Sequence, residues 1–265
     1  MASVAFFHAH PDDEAMLTAG TMAKLAEAGH RVVLVTATRG EHGEIVPGVL
    51  VDGETLGHRR VEELEQAAAV LGVARLEFLG YVDSGMMGTP QNDGPNSFWR
   101  ADVEEAAGRL ARILTEEGAA ALVIYDDNGG YGHPDHIQVH RVGVRAAELA
   151  GTPVVYEASI DRDRLIALLR QVREAGLVEE VPDVDTATFG VPGSLVTTRV
   201  DVSRQVEVKR KAMAVHASQI SGDSLWLTMP DERFAAAFGE EVFIRRGAPP
   251  GKTVEHELDL SGGGQ

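Results

Sequence analysis

Five short apolar runs alternate along this chain with stretches of helical spacing, and that alternation restricts the fold more than any other feature. The runs are Val4 to Phe7, Arg31 to Thr36, Leu76 to Leu79, Ala121 to Tyr125 and Pro153 to Tyr156. They are rich in valine, isoleucine and phenylalanine and of strand length, as strands buried on both faces must be. Between them lie Ala15 to Ala28, His58 to Leu71, Asp102 to Glu117 and His136 to Ala150, dominated by alanine, leucine, glutamate and arginine, which read as helices. Strand and helix alternating four times predict an α/β fold, Rossmann-like, with a mostly parallel sheet and helices on both faces. Ligands of such sheets sit in the crevice at the carboxyl ends of the strands, so the loops that follow strands carry the chemistry.

Beyond about residue 157 the pattern weakens to a helix near Arg162 to Glu174, a strand near Ser194 to Val200 and a helix near Ser203 to Ala217. The expected organisation is a catalytic core over 1–157, a smaller C-terminal portion over 158–246 that completes the pocket, and a flexible tail over 247–265. Residues 80–100 mix glycine, proline and asparagine without period, as a loop walling a pocket does.

The 265 residues include 24 lysine plus arginine against 41 aspartate plus glutamate, a formal net charge of -17. That balance repels a phosphate backbone, so nucleic acid is not an expected partner. The absence of cysteine leaves histidine and carboxylate as the only ligands for a transition metal and fits a reducing, cytoplasmic setting. The first residues lack the basic and long apolar regions of a signal peptide. No segment approaches the roughly 20 apolar residues that cross a bilayer, so no membrane association is expected.

Two loops stand out. His8-Ala9-His10-Pro11-Asp12-Asp13-Glu14 follows the first apolar run, and Gly129-Gly130-Tyr131-Gly132-His133-Pro134-Asp135-His136 follows the fourth. Acidic residues opening a helix complement its positive N-terminus, which is the simpler account of either loop alone. Two His-Pro-Asp clusters in equivalent places call for more, because the first and fourth strands of a doubly wound sheet can be neighbours and their loops can meet. A catalytic zinc takes three nitrogen or oxygen ligands and keeps one position open. His10, Asp13 and His136 supply such a set, with Asp12 as the base for a metal-activated water. Ferrous iron or cobalt suits the same ligands.

With these motifs the sequence resembles the LmbE-like, or PIG-L, family of zinc-dependent N-deacetylases, through Ala9 to Glu14 and His133 to His136. The likeness continues through Thr38 to Glu41, Gly57, Arg60, Glu63 and Leu64, Val82 to Met86, and His216 to Gln219. Within the family the Asn128 to His136 loop looks most like the branch of mycothiol-pathway deacetylases and S-conjugate amidases. The resemblance implies one Zn2+ per chain on His10, Asp13 and His136, and Asp12 as general base. It implies that His133 stabilises the tetrahedral intermediate or protonates the leaving amine, that Asp135 orients His133, and that Tyr131 donates to the oxyanion. It implies Arg60 and Asp83 as substrate contacts; surface salt bridging is their simpler reading. The expected substrate is a small amino-sugar molecule or glycoconjugate carrying N-acetylglucosamine, and related proteins often form homo-oligomers.

An amidase cleaving a larger N-acyl group shares the same catalytic set. A non-catalytic nucleotide-binding α/β module is opposed by the absence of G-x-G-x-x-G after the first strand and of a P-loop. A phosphoesterase commonly needs two metals. Asp52, Asp126 and Asp127 read as solvated loop carboxylates, and His42, His58 and His140 as ordinary histidines. Phe98, Trp99 and Trp226 offer flat faces for a sugar but are more often core.

Overall fold

The structure, a computed structural model, describes residues 1–174, 189–249 and 254–261. Seven strands form one sheet in the order β3-β2-β1-β4-β5-β7-β6. Five are parallel: β1 (Ser3–His8), β2 (Arg31–Thr36), β3 (Arg75–Phe78), β4 (Ala119–Tyr125) and β5 (Val154–Ser159). They are the five apolar runs of the sequence, and the expected α/β class is borne out. β1 lies between β2 and β4, with Phe6 level with Leu34 on one side and Val123 on the other. The connections leave β1 in opposite directions there, which opens the crevice at its carboxyl end.

Alternation along β1 divides the core into two layers. Val4 and Phe6 face a layer with Met22, Leu64, Leu71, Met213 and Phe243. Ala5 and Phe7 face the opposite layer, with Phe98, Leu110, Leu114, Val139 and Val142. The first layer is covered by α2 (Ala19–Glu27), α3 (Leu56–Leu71) and α7 (Val206–Val215), and the second by α4 (Val103–Glu117) and α5 (Pro134–Ala150). The Thr55 and Asp102 side chains accept from the amides of His58 and Glu105 and cap the starts of α3 and α4. Among the described residues no helix is long and apolar enough to cross a membrane.

Several elements depart from the sequence reading. The helix expected over Ala15 to Ala28 is broken into α1 (Asp13–Leu17) and α2 at Thr18, whose φ is -135°. The Thr18 hydroxyl turns inward to lie 2.9 Å from His8 Nε2 and does not cap α2. The C-terminal strand β6 occupies Thr198–Asp201, preceded by a 3-10 turn at Gly193–Leu195. An unanticipated strand, β7 (Glu240–Arg245), runs antiparallel between β5 and β6. Helices α8 (Leu225–Thr228) and α9 (Asp231–Phe238) precede it, while α6 matches its expected span, Arg162–Glu174. Part of the segment expected to fray is tied down: Glu255 exchanges backbone hydrogen bonds with Thr197 and Arg199, and Leu258 is buried.

β7 also supplies the missing cap. Glu241 accepts from the amides of Gly20 and Thr21 at 2.9 and 2.8 Å, at the start of α2, and Lys209 Nζ of α7 lies 2.6 Å from the same carboxylate. Both side chains are almost fully buried. Removing one member of such a pair leaves an uncompensated charge in the core, at a cost of about 3–5 kcal/mol. Glu241→Ala is expected to lower the urea midpoint by that amount of stability at an unchanged slope; a loss under about 1 kcal/mol would show that Lys209 finds water instead.

Candidate metal centre and active site

The loop after β1 folds on itself at once. The His10 amide donates to Asp13 Oδ2 at 2.8 Å, which places that carboxylate between two imidazoles. Asp13 Oδ2 is 3.4 Å from His10 Nδ1, and Asp13 Oδ1 is 3.3 Å from His136 Nε2 at the start of α5. His136 Nδ1 donates to the Gly129 carbonyl at 3.1 Å, so Nε2 presents a lone pair, buried and without a hydrogen-bond partner. His10 Nε2 lies 3.1 Å from Asp135 Oδ2 and donates there, so a neutral His10 turns a bare Nδ1 toward Asp13. Acceptor faces acceptor across both gaps, which is repulsive unless a cation or proton lies between. Two imidazole nitrogens and a carboxylate are the donor set of a catalytic transition metal. The donor atoms of His10, His133 and His136 also lie within 4.8 Å of one another.

Charge at the site follows from these contacts. Burial opposes protonation of His10, yet Asp13, Asp135 and Asp83 together hold its pKa well above the usual histidine value. Burial likewise opposes ionisation of Asp13, but His136 and His10 hold it well below the carboxylate range. The pocket therefore demands positive charge.

Asp12 sits at the rim with φ of 105°, a left-handed conformation rare outside glycine. Three groups fix it there. Its amide donates to Glu14 Oε2 at 3.0 Å, and Arg60 Nη2 donates to its Oδ1 at 2.8 Å and to the Pro11 carbonyl. Glu14 is in turn bound by His216 Nε2 at 2.6 Å, with both residues fully buried. Burial pushes the Asp12 carboxyl up from its ordinary value, against the pull of Arg60, which moves a base toward working pH. Gly40 makes room for this arrangement, since a Cβ there would lie 2.4 Å from Arg60 Cζ.

His133 Nδ1 accepts from the Asp135 amide at 3.2 Å, so the ring proton sits on Nε2. Burial and the nearby His10 and His136 lower its pKa to about 4, and it is a neutral donor. Tyr131 stands edge-on to His136 with ring centroids 5.0 Å apart, and burial beside Asp13 keeps its phenol protonated. It rides on a loop whose Gly129, Gly130 and Gly132 all have positive φ; a Cβ on Gly129 would approach His136 Cβ to 2.4 Å.

The structure thus gathers His10, Asp12, Asp13, Asp83, Tyr131, His133, Asp135 and His136 at one crevice, and gives several of them partners that the sequence did not indicate. The Asp135 carboxylate contacts His10 and Ser84, not the His133 ring that it was expected to orient; only its backbone amide reaches His133. Arg60 and Asp83 are buried rather than surface salt bridges. Arg60 is buried on Asp12, Pro11 and Gly40, and Asp83 accepts from the amides of Gly85 and His42. Asp126, read as solvated, is buried and organises the Gly129 turn through the amides of Asn128 and Gly130 and the Ser159 hydroxyl. Phe98 is core, Trp99 stacks on Arg141, and Trp226 packs on Phe238.

Sequence reasoning left four contributors without roles: Glu14, Ser84, Tyr125 and His216. Glu14, Ser84 and His216 lay in stretches already matched to the family. Tyr125 stacks on His136 at 4.6 Å and bonds His8 Nδ1 at 2.7 Å, contacts that only its place at the end of β4 could have suggested.

A switch-point crevice with this donor set defines an α/β metallohydrolase. The chain belongs to the PIG-L family: the family pattern described as GlcNAc-PI de-N-acetylase matches residues 5–147. The 1D-myo-inositol 2-acetamido-2-deoxy-alpha-D-glucopyranoside deacetylase of Thermomonospora curvata is 43% identical over 276 residues, covering 95% of this chain and 92% of that protein. The protein of the same name from Thermobifida fusca is 45% identical over 234 residues, covering 81% and 82%. Among solved structures, the N,N'-diacetylchitobiose deacetylase of Pyrococcus horikoshii shares the fold at a TM-score of 0.58 and 22% identity, covering 94% of this chain and 84% of that one. The family resemblance read from the two motifs is borne out.

His8 provides a test of site electrostatics apart from turnover. Burial lowers its pKa from 6.5 to about 4, so the unfolded chain takes up a proton in that interval that the folded protein refuses. Its contribution is therefore complete above about pH 6.5 and lost as pH falls toward 4, a change of about 3 kcal/mol at about 1.4 kcal/mol per pKa unit. Urea unfolding of metal-free wild type and His8→Gln across this range is expected to show the stability gap between them shift by that amount. Parallel curves would mean that His8 is charged in the fold.

Proposed function

We propose that this protein is a zinc-dependent deacetylase that hydrolyses the acetamido group of an inositol-linked N-acetylglucosamine, yielding acetate and the free amine. The observation that carries the reading is the convergence of His10 Nδ1 and an unpartnered, buried His136 Nε2 on the one carboxylate of Asp13. The substrate comes from the relatives, deacetylases of that name over almost the whole chain.

His10, Asp13 and His136 hold the metal, which when bound polarises the acyl carbonyl and lowers the pKa of a bound water to about 7. Asp12 takes the water proton; its raised pKa suits it to accept at neutral pH, and Arg60 with Glu14 keeps it aimed at one place. His133 donates its Nε2 proton to the negative charge that builds on the acyl oxygen, and Tyr131 adds a second donor. The proton collected by Asp12 is then available to the leaving nitrogen. Arg60 is committed to Asp12, and the protein carries a net charge of -17; both favour an uncharged sugar–inositol substrate over a phosphorylated one.

Acetate release from the inositol conjugate by zinc-loaded protein tests this. Asp12→Ala is expected to lower kcat by about 10²–10⁴ with zinc retained, and His136→Ala to lose the metal. Turnover confined to bulky N-acyl groups would make the protein an amidase of larger amides, and a wild type that binds no metal would overturn the mechanism.

A further inference from the structure

The buried residues around His10 assign a function to a side chain that the reaction itself does not touch. Asp135 is fully buried, and each of its oxygens is claimed. Oδ2 accepts from His10 Nε2 at 3.1 Å and from the Ser84 amide at 2.9 Å, and Oδ1 accepts from the Ser84 hydroxyl. Ser84 is itself fully buried and fixed: its Oγ accepts from the Trp99 amide at 2.8 Å and lies 2.9 Å from Ser97 Oγ, and its carbonyl accepts from Asn92 Nδ2 at 2.6 Å. The loop over residues 80–100 thus ends in a rigid two-pronged grip on one carboxylate. Asp83, next in sequence, is 3.6 Å from His10 Nε2, too long for a hydrogen bond, and its oxygens are taken by backbone amides.

A metal-ligating histidine needs its other nitrogen held by an acceptor, which fixes the tautomer and raises the basicity of the ligating atom. We propose that Ser84 and Asp135 are positioning residues for the metal site: Ser84 clamps Asp135, and Asp135 holds the His10 proton on Nε2 so that Nδ1 stays bare for the metal. This rests on His10 being a ligand. It assigns Asp135 to metal retention instead of to the His133 ring.

The test is zinc affinity, measured by competition with a chelator on the full-length protein, for wild type, His10→Ala, Asp135→Asn and Ser84→Ala. Asp135→Asn and Ser84→Ala are expected to weaken zinc binding about 10–100-fold, and ¹⁵N NMR of the zinc-loaded protein is expected to show His10 protonated on Nε2, with that proton slow to exchange in wild type and faster in both variants. Asp135→Asn is nearly isosteric and carries the test alone should Ser84→Ala not fold. Zinc affinity within about twofold of wild type in Asp135→Asn, together with a fall in kcat, would overturn the inference and return Asp135 to His133. Unchanged affinity in His10→Ala would instead remove the ligand reading on which it rests.

Discussion

The site depends on the parallel pairing of β1 with β4. Those strands are separated by more than a hundred residues, yet their register sets Phe6 beside Val123, so the two loops that leave their carboxyl ends start side by side. The parallel register is held by main-chain hydrogen bonds and by core side chains on both faces. The loops can therefore carry strained backbone and crowded charge that would not persist on a mobile support. Asp12 in a left-handed conformation and the positive-φ glycines Gly129, Gly130 and Gly132 around Tyr131 lie at this seam.

Electrostatically the crevice is a negative trap completed by ring nitrogens. Asp13, Asp83 and Asp135 crowd His10, and the guanidinium nearest them, Arg60, is directed at Asp12. The cluster favours a proton on His10; a cation held there, as proposed, would have to displace that proton, as wherever ligands must be deprotonated.

Much of this was legible in the sequence because it is local. The five parallel strands announce themselves as apolar runs, the helices as alanine- and leucine-rich periods, and the two site loops as histidine- and carboxylate-rich clusters after strands. What escaped was non-local. β7 reads EEVFIR, but nothing nearby indicates that it inserts between β5 and β6, and its glutamate caps a helix 220 residues earlier. Thr18 breaks a stretch of good helix formers because a buried histidine needs its hydroxyl, a contact no window along the chain contains. Asp135 was assigned to its sequence neighbour His133, whereas its carboxylate reaches across to a histidine 125 positions away.

The link from His216 through Glu14 to the Asp12 amide bears on modularity. The family pattern ends at residue 147, before the last parallel strand and far short of His216. The stretch matched by the family pattern therefore leaves out His216, the residue that binds Glu14 and through it braces the Asp12 backbone. A piece of chain cut to that pattern would carry both motif loops but not the side chain that secures the turn of the first.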